Sequence, residues 1–271
     1  MASNLKSATG ITVFSVMRLS LFLDLDGTLI DLADHPDSVS VPARLPLLLQ
    51  QLDHKLGGAV AIASGRNINM LDQLLLPYRG SAIGVHGVER RLQGGAISQH
   101  ALTPMPVALR DAVAELVRHY PDAFIEDKGS AIAAHDRSHP GVTSELAEAM
   151  RAICLRLAPE WQCLSGNKVV EVKPVGIDKG TGVDWLMQVP PFADSLPVAI
   201  GDDFTDLDMF AAVHSYGGLT VAVGERIAGD GHVHLHSPAA VLRLLEAWAA
   251  LTVVRGLANI EALARLADVA P

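Results

Sequence analysis

An α/β fold is expected, a parallel sheet flanked by helices with an α+β insert, and three observations predict it. From Arg18 to about His86, and again from Ile177 to about Ala250, short apolar runs alternate with amphipathic helical stretches. Such alternation implies parallel strands covered by helices. Between these halves, Gly87 to Val175 carries two helical stretches and several short, closely spaced strands, the pattern of an antiparallel unit. Acidic and hydroxyl residues gather where the apolar runs end, which is where open α/β sheets bind ligands.

The first strand is Leu19-Ser20-Leu21-Phe22-Leu23, an apolar run that reads as buried. It leads into Asp24-Leu25-Asp26-Gly27-Thr28. Packing asks for no acid there, and two neighbouring carboxylates repel unless a cation or a shared proton offsets them. The pair suits phosphoryl transfer: one carboxylate attacks phosphorus, the other handles the leaving-group proton, and a divalent metal lies between acid and phosphate. The next apolar run, Gly58 to Ala63, leads into Ser64-Gly65-Arg66. Asn67 then caps a helix with Ile68, Leu71, Leu74 and Leu75 on its apolar face. A hydroxyl and backbone N–H groups at such a turn suit a phosphate oxygen. Ser81 to Val85 forms the third strand and ends at His86, a residue expected either to touch substrate or to pack at the boundary.

The insert reads as a helix near Val107–His119, strands near Phe124–Glu126 and Ala131–His135, a helix over Ser144–Leu157, and strands near Trp161–Leu164 and Lys168–Val172. Glu126 and Lys128, and likewise Glu171 and Lys173, alternate by two, so each pair projects from one face of its strand. Mixed acids and lysines on a sheet face can bind sugar hydroxyls and phosphate, or can form cross-strand ion pairs.

In the second half, Lys179 stands at the start of a helix through Val183, Leu186 and Met187. A cation there opposes the helix dipole, so balancing a phosphate or clustered carboxylates is the better reason for it. The strand Leu196 to Ile200 ends in Gly201-Asp202-Asp203-Phe204-Thr205-Asp206, with Asp208 beyond. Four acids in this span point to a hard cation with oxygen ligands. Thr220–Val223 is a strand, Pro238–Ala249 an apolar-rich helix, and Arg255–Ala267 a helix packing on the core. His232, His234 and His236 would lie on one face of an edge strand; no carboxylate pattern nearby completes a metal set, so a metal role is discounted.

The ordered set Asp24-x-Asp26-Gly27-Thr28, Ser64, Lys179 and Gly201-Asp202-x-x-x-Asp206 resembles the haloacid-dehalogenase-like (HAD) phosphatase superfamily. The resemblance implies a Rossmann-like parallel-sheet core with an inserted α+β cap that sets specificity. It also implies roles: Asp24 as nucleophile and Asp26 as general acid, then base. Ser64 and Lys179 would hold phosphoryl oxygens. Mg²⁺ would bind the Asp24 side chain, the Asp26 carbonyl and Asp202, with Asp206 acting through water or by orienting Asp202. A dehalogenase or an ATPase of this fold has no need of an acid at position 26, whereas a phosphatase must protonate an alkoxide.

Finer stretches resemble the trehalose-6-phosphate phosphatase family. They are Val85 to Arg91, Glu126 to Ser130, Asn167 to Pro174, and the Gly-Asp-Asp-x-Thr-Asp form of the last motif. This resemblance makes Gly65, Arg66, His86, Glu126, Lys128, Glu171, Lys173 and Asp203 candidate substrate contacts. It also implies a functional link to a trehalose-phosphate synthase. One departure is Leu207, where the family usually carries Glu; Asp208 is the expected substitute in the metal shell. The alternatives are a phosphatase of another sugar phosphate, such as sucrose phosphate or mannosyl-phosphoglycerate, a phosphomutase, or a catalytically silent sugar-phosphate-binding domain.

The expected organisation is an extension over 1–17, a catalytic core over 18–86 and 176–271, and a cap over 87–175. With 271 residues, 49% of them hydrophobic, the chain can bury one large or two modest cores. A net charge of −9 without any basic block argues against nucleic acid. The longest apolar runs are too short for a membrane span, and 1–16 lacks the apolar segment of a signal peptide. Two cysteines, Cys154 and Cys163, make no disulfide framework, so a reducing cytoplasm is expected.

Overall fold

The computed structural model describes residues 18–33, 38–99, 104–136, 140–166 and 169–251. The expected extension over 1–17, the helix over Arg255–Ala267, and Asn167 and Lys168 lie outside the described residues. Strand β1 (Leu19–Leu23) runs between β2 (Val60–Ala63) and β10 (Leu196–Gly201), and β3 (Ser81–Gly84), β11 (Leu219–Val223) and β12 (Val233–Leu235) extend the sheet on either side. All pairs from β12 through β11, β10, β1 and β2 to β3 are parallel.

Both faces of this sheet are covered, which is why its strands read as continuous apolar runs. Leu21, Val60, Val198 and Val221 face one cluster, packed under α1 (Leu45–Lys55), α2 (Ile68–Leu74) and α7 (Pro238–Ala250). Phe22, Ala61, Ala199 and Ala222 alternate onto the other, under α5 (Lys179–Met187) and α6 (Leu207–Ser215). Phe22 is completely buried, and a side chain of that size contributes about 1.5–3 kcal/mol.

The insert departs from its expected boundary. Residues 89–99 were expected in the cap, yet β4 (Glu89–Arg91) and β5 (Ser98–Gln99) continue the core sheet as an antiparallel edge beyond β3. A chain leaving a parallel sheet can turn back on the edge strand at once, and Arg91 fixes this return by a bidentate bond to Asp72 of α2. The second sheet is antiparallel, in the order β6 (Ala123–Asp127), β7 (Ile132–Asp136), β9 (Val169–Pro174), β8 (Trp161–Gly166). One of its faces buries Ile132, Val170 and Val172 against α3 (Val107–Val117) and α4 (Pro140–Leu157). The other face carries the polar residues of the alternation. Among the described residues no helix is long and apolar enough to cross a membrane.

Candidate active site

A cleft of about 640 Å³ opens between the C-terminal ends of the core strands and the polar face of the second sheet. Its floor is built at three strand ends. Asp24 follows β1, held by its N–H to the Ile200 carbonyl. Ser64 follows β2 and Asp202 follows β10. Because the connection after β1 runs to one side of the sheet, to β2, and the connection after the adjacent β10 runs to the other, to β11, this is the topological switch point at which α/β sheets bind ligands.

The floor is organised by Lys179, the first residue of α5. Asp178 caps that helix through the Thr181 N–H. Lys179 Nζ donates to Asp24 Oδ1 and to Asp206 Oδ1, both at 2.7 Å, and all three residues are buried. Burial alone would lower the lysine pKa; Asp206 and Asp24 reverse this and hold it well above its usual range. Asp206 Oδ2 accepts the N–H groups of Asp202 and Asp203, both at 3.0 Å. Asp206 thereby braces the backbone that carries Asp202. Asp202 lies against Gly27, whose φ is +90° and where a Cβ would come within 2.3 Å of Asp202 Oδ2. Glycine is required there for both reasons. Thr28 Oγ1 donates to Asp202 Oδ1 at 3.2 Å, a contact the sequence reading did not assign.

Asp24 Oδ2 is buried and accepts no hydrogen bond among the described residues. Burial, followed by repulsion from Asp206 and Asp202, pushes the Asp24 pKa well up despite Lys179. Burial and the neighbouring Asp206 push Asp202 up to about 6. Oxygens of Asp24, Asp202 and Asp206 all lie within 4.8 Å of one another. A set of three clustered carboxylates, all with oxygen donors, fits a hard divalent cation. Asp208 is not part of this set: it is exposed and faces the charges of Asp178 and Lys173. Leu207 packs against the core instead. The expected substitution of Asp208 for the missing Glu is thus not what the fold provides.

Arg66, expected on substrate, lines the cleft, and its guanidinium forks onto Asp26 with two bonds of 2.7 Å. Ser64 Oγ accepts the Arg66 N–H. Above them, Lys128 Nζ donates to the Gly65 carbonyl at 2.9 Å and to Glu171 Oε2 at 3.1 Å, tying the second sheet to the core. His86 Nε2 lies 3.3 Å from Glu171 Oε2. Burial would raise the Glu171 pKa, but Lys128 and His86 more than offset it and hold the carboxyl well below its usual range. His86 sits at φ +49° and Val85 at φ +46°. Left-handed backbone is costly for non-glycine residues, most of all a β-branched one, so the turn is strained to aim this imidazole. Gly65 makes room for it: a Cβ there would meet His86 Nε2 at 2.4 Å. His86 Nδ1 and Glu171 Oε1 are buried without a partner among the described residues.

Glu126 lines the cleft and meets His135 at 2.9 Å, and Phe124 stacks on the His135 ring. Phe124 was not singled out in the sequence, and His135 showed no supporting pattern there. Their signal was the same alternation by two that flagged Glu126, continued across the β6–β7 register, where Phe124 pairs with His135. Lys173 departs from expectation. It is buried two residues beyond Glu171, among the charges of Glu171, Asp178 and Asp208, and neither it nor Glu171 lines the cleft, although Glu171 bonds Lys128 and His86, which do. Alternation put it on the correct face but too far along the strand. Asp203 does line the cleft, yet its oxygens are engaged by the Phe204 N–H and by Arg226. The premise that no carboxylate stands near the late histidines is corrected. His232 turns to Thr220 and His214, but the carboxylate of Glu225 joins His234 and His236.

The sequence profile of the trehalose-phosphatase family matches residues 22–234. The chain is 39% identical to the probable trehalose-phosphate phosphatase of Sinorhizobium fredii strain NGR234, over 86% of this chain and 89% of that one. It is also 39% identical to the trehalose-6-phosphate phosphatase of Escherichia coli K12, over 76% and 78%. The fold is similar to that of the C-terminal domain of the Candida albicans trehalose-6-phosphate phosphatase, with a TM-score of 0.74 at 23% identity, over 88% of this chain and 93% of that one.

Proposed function

The chain belongs to the trehalose-phosphatase family, and on that premise we propose that it hydrolyses trehalose 6-phosphate to trehalose and phosphate through an aspartyl-phosphate on Asp24. The observation that carries this reading is the division of labour on one carboxylate. Lys179 holds Asp24 Oδ1 at 2.7 Å, while Oδ2 is left buried and without a hydrogen bond among the described residues. A desolvated, oriented carboxylate oxygen is a nucleophile awaiting an electrophile.

In this mechanism Asp24 Oδ2 attacks phosphorus and the bond from phosphorus to the sugar oxygen breaks. Asp26 gives the departing alkoxide its proton. Asp26 then takes a proton from water as that water attacks the aspartyl-phosphate, which releases phosphate and restores Asp24. Both Asp26 oxygens are gripped by Arg66, so the fork must loosen for Asp26 to carry a proton, and substrate phosphate is the natural competitor for the guanidinium. Lys179 has three N–H groups and uses two on Asp24 and Asp206; the third and the Ser64 hydroxyl would hold the phosphoryl group. Mg²⁺ held by Asp24, Asp202 and the Asp26 carbonyl would neutralise charge between carboxylates and phosphate. The sugar would lie under β6 and β7, against Glu126, Lys128 and His86, with Phe124 and His135 as a flat wall and Glu171 behind Lys128 and His86.

The test is phosphate release with Mg²⁺ from trehalose 6-phosphate, sucrose 6-phosphate, glucose 6-phosphate, mannosyl-phosphoglycerate and an aryl phosphate. Strong preference for trehalose 6-phosphate is expected. Equal rates across the panel would discard the substrate, and no release from any member would discard the mechanism.

A further inference from the structure

We propose that Glu225, His234 and His236 form a transition-metal site, with Zn²⁺ the best-matched ion, on the edge strand of the core sheet and separate from the carboxylate cluster. The candidate ligand atoms of the three side chains lie within 4.8 Å of one another. In a tetrahedral site with bonds of about 2.0–2.1 Å, ligand atoms stand roughly 3.3 Å apart. Rotation of exposed side chains therefore closes the site without backbone movement. Glu225 and His236 are the exposed members, at 86% and 63% side-chain exposure.

The third ligand is fixed. His234 Nε2 lies 2.7 Å from the Gly224 carbonyl, so it carries the hydrogen and Nδ1 carries the lone pair. A metal-binding imidazole characteristically donates its other N–H to a backbone carbonyl in this way. The His234 and His236 rings meet edge to face, 4.6 Å between centroids, and His236 Nδ1 stands 3.7 Å from Glu225 Oε1. The strand geometry explains the convergence. His234 lies in β12 and His236 one residue past its end, and the contact of their rings puts both on one side of the strand. The pairing of Ala222 with His234 brings the end of β11, and Glu225 just beyond it, alongside.

The chemistry of the set selects the ion. Two imidazoles and one carboxylate suit Zn²⁺, Co²⁺ or Ni²⁺, with water completing the shell. Mg²⁺, which prefers oxygen and gives up water reluctantly, is not retained by it. Bound metal would staple the turn after β11 to β12, the outermost strand of the parallel sheet.

The experiment is calorimetric titration of the untagged full chain with Zn²⁺ in excess Mg²⁺, repeated with Co²⁺ while recording the visible spectrum. One equivalent of Zn²⁺ is expected, with a Co²⁺ absorption band typical of nitrogen ligation. His236→Ala and Glu225→Ala, both at exposed positions, should each weaken Zn²⁺ binding roughly tenfold or more, the scale on which even outer partners of metal ligands act. Asp202→Asn should leave it unchanged. Absence of Zn²⁺ binding by the wild type, wild-type affinity in the His236→Ala/Glu225→Ala double variant, or loss of binding in Asp202→Asn would each overturn the proposal.

Discussion

The two sheets build their halves of the cleft in different ways. The core places chemistry at strand ends: Asp24, Ser64 and Asp202 each stand just past a buried strand, and their partners are Lys179, the Thr28 hydroxyl, the Asp206 carboxylate and backbone groups. The second sheet presents its chemistry on a strand face: Phe124, Glu126, His135 and Glu171 come from three strands and meet only through antiparallel register. A strand-end site is a contiguous motif followed by a turn, held rigidly because every group around it is braced. A strand-face site is distributed, and its composition changes with each residue of register. In the mechanism proposed above, reaction chemistry falls to the first kind of scaffold, and selection among sugars to the second.

The largest blow to the core half is Asp24→Asn. It should abolish turnover of every phosphate ester by several orders of magnitude with the fold kept, since a nucleophile cannot be replaced by binding. Residual covalent turnover would break the assignment. Chelation with EDTA should stop the reaction of the wild type, and added Mg²⁺ should restore it; indifference to chelation would remove the metal role of Asp202. Asp26→Asn should cost on the order of 10²–10⁴ with a sugar phosphate, the range of general acid catalysis. With an aryl phosphate, whose leaving group needs little protonation, the loss should be smaller. Equal losses on the two esters would mean that Asp26 does not serve the leaving group.

The smallest effect is on stability. Burial and Asp206 raise Asp202 from 3.8 to about 6, so the folded metal-free chain keeps this proton longer than the unfolded chain does. The Asp202 contribution is complete below pH 3.8 and is lost as pH rises through about 6. A bound cation favours the ionised carboxylate and removes the penalty. Thermal melts should therefore show Mg²⁺ stabilising the protein more at pH 7 than at pH 4, and Asp202→Asn should flatten that difference. A Mg²⁺ shift independent of pH would contradict it.

What could be read from the sequence follows the same division. The apolar run Leu19–Leu23 and the acids after it were legible because strand, turn and carboxylates are neighbours in the chain, and a single period decides them. The elements of the insert were legible too, since α3, α4 and the strands β6 to β9 each carry their own periodicity. The Arg66 fork on Asp26 was not legible, because the two are 40 residues apart and meet only when β1 and β2 pair. Lys173 was misplaced for a related reason: alternation gives the face of a strand but not the point where the cleft ends. Glu225 escaped notice beside His234 because β11–β12 register, rather than spacing, joins them.

The most direct test of the division between chemistry and selection is kcat/KM for trehalose 6-phosphate and for an aryl phosphate in Glu171→Gln and Lys128→Met. Loss of a hydrogen bond to a charged group costs about 1.5–3 kcal/mol, or roughly 10- to 100-fold. That loss should fall on trehalose 6-phosphate alone, with the aryl phosphate held near the wild-type value. Equal losses on both substrates would show that Glu171 and Lys128 serve the phosphoryl chemistry, and the assignment of selection to the second sheet would fail.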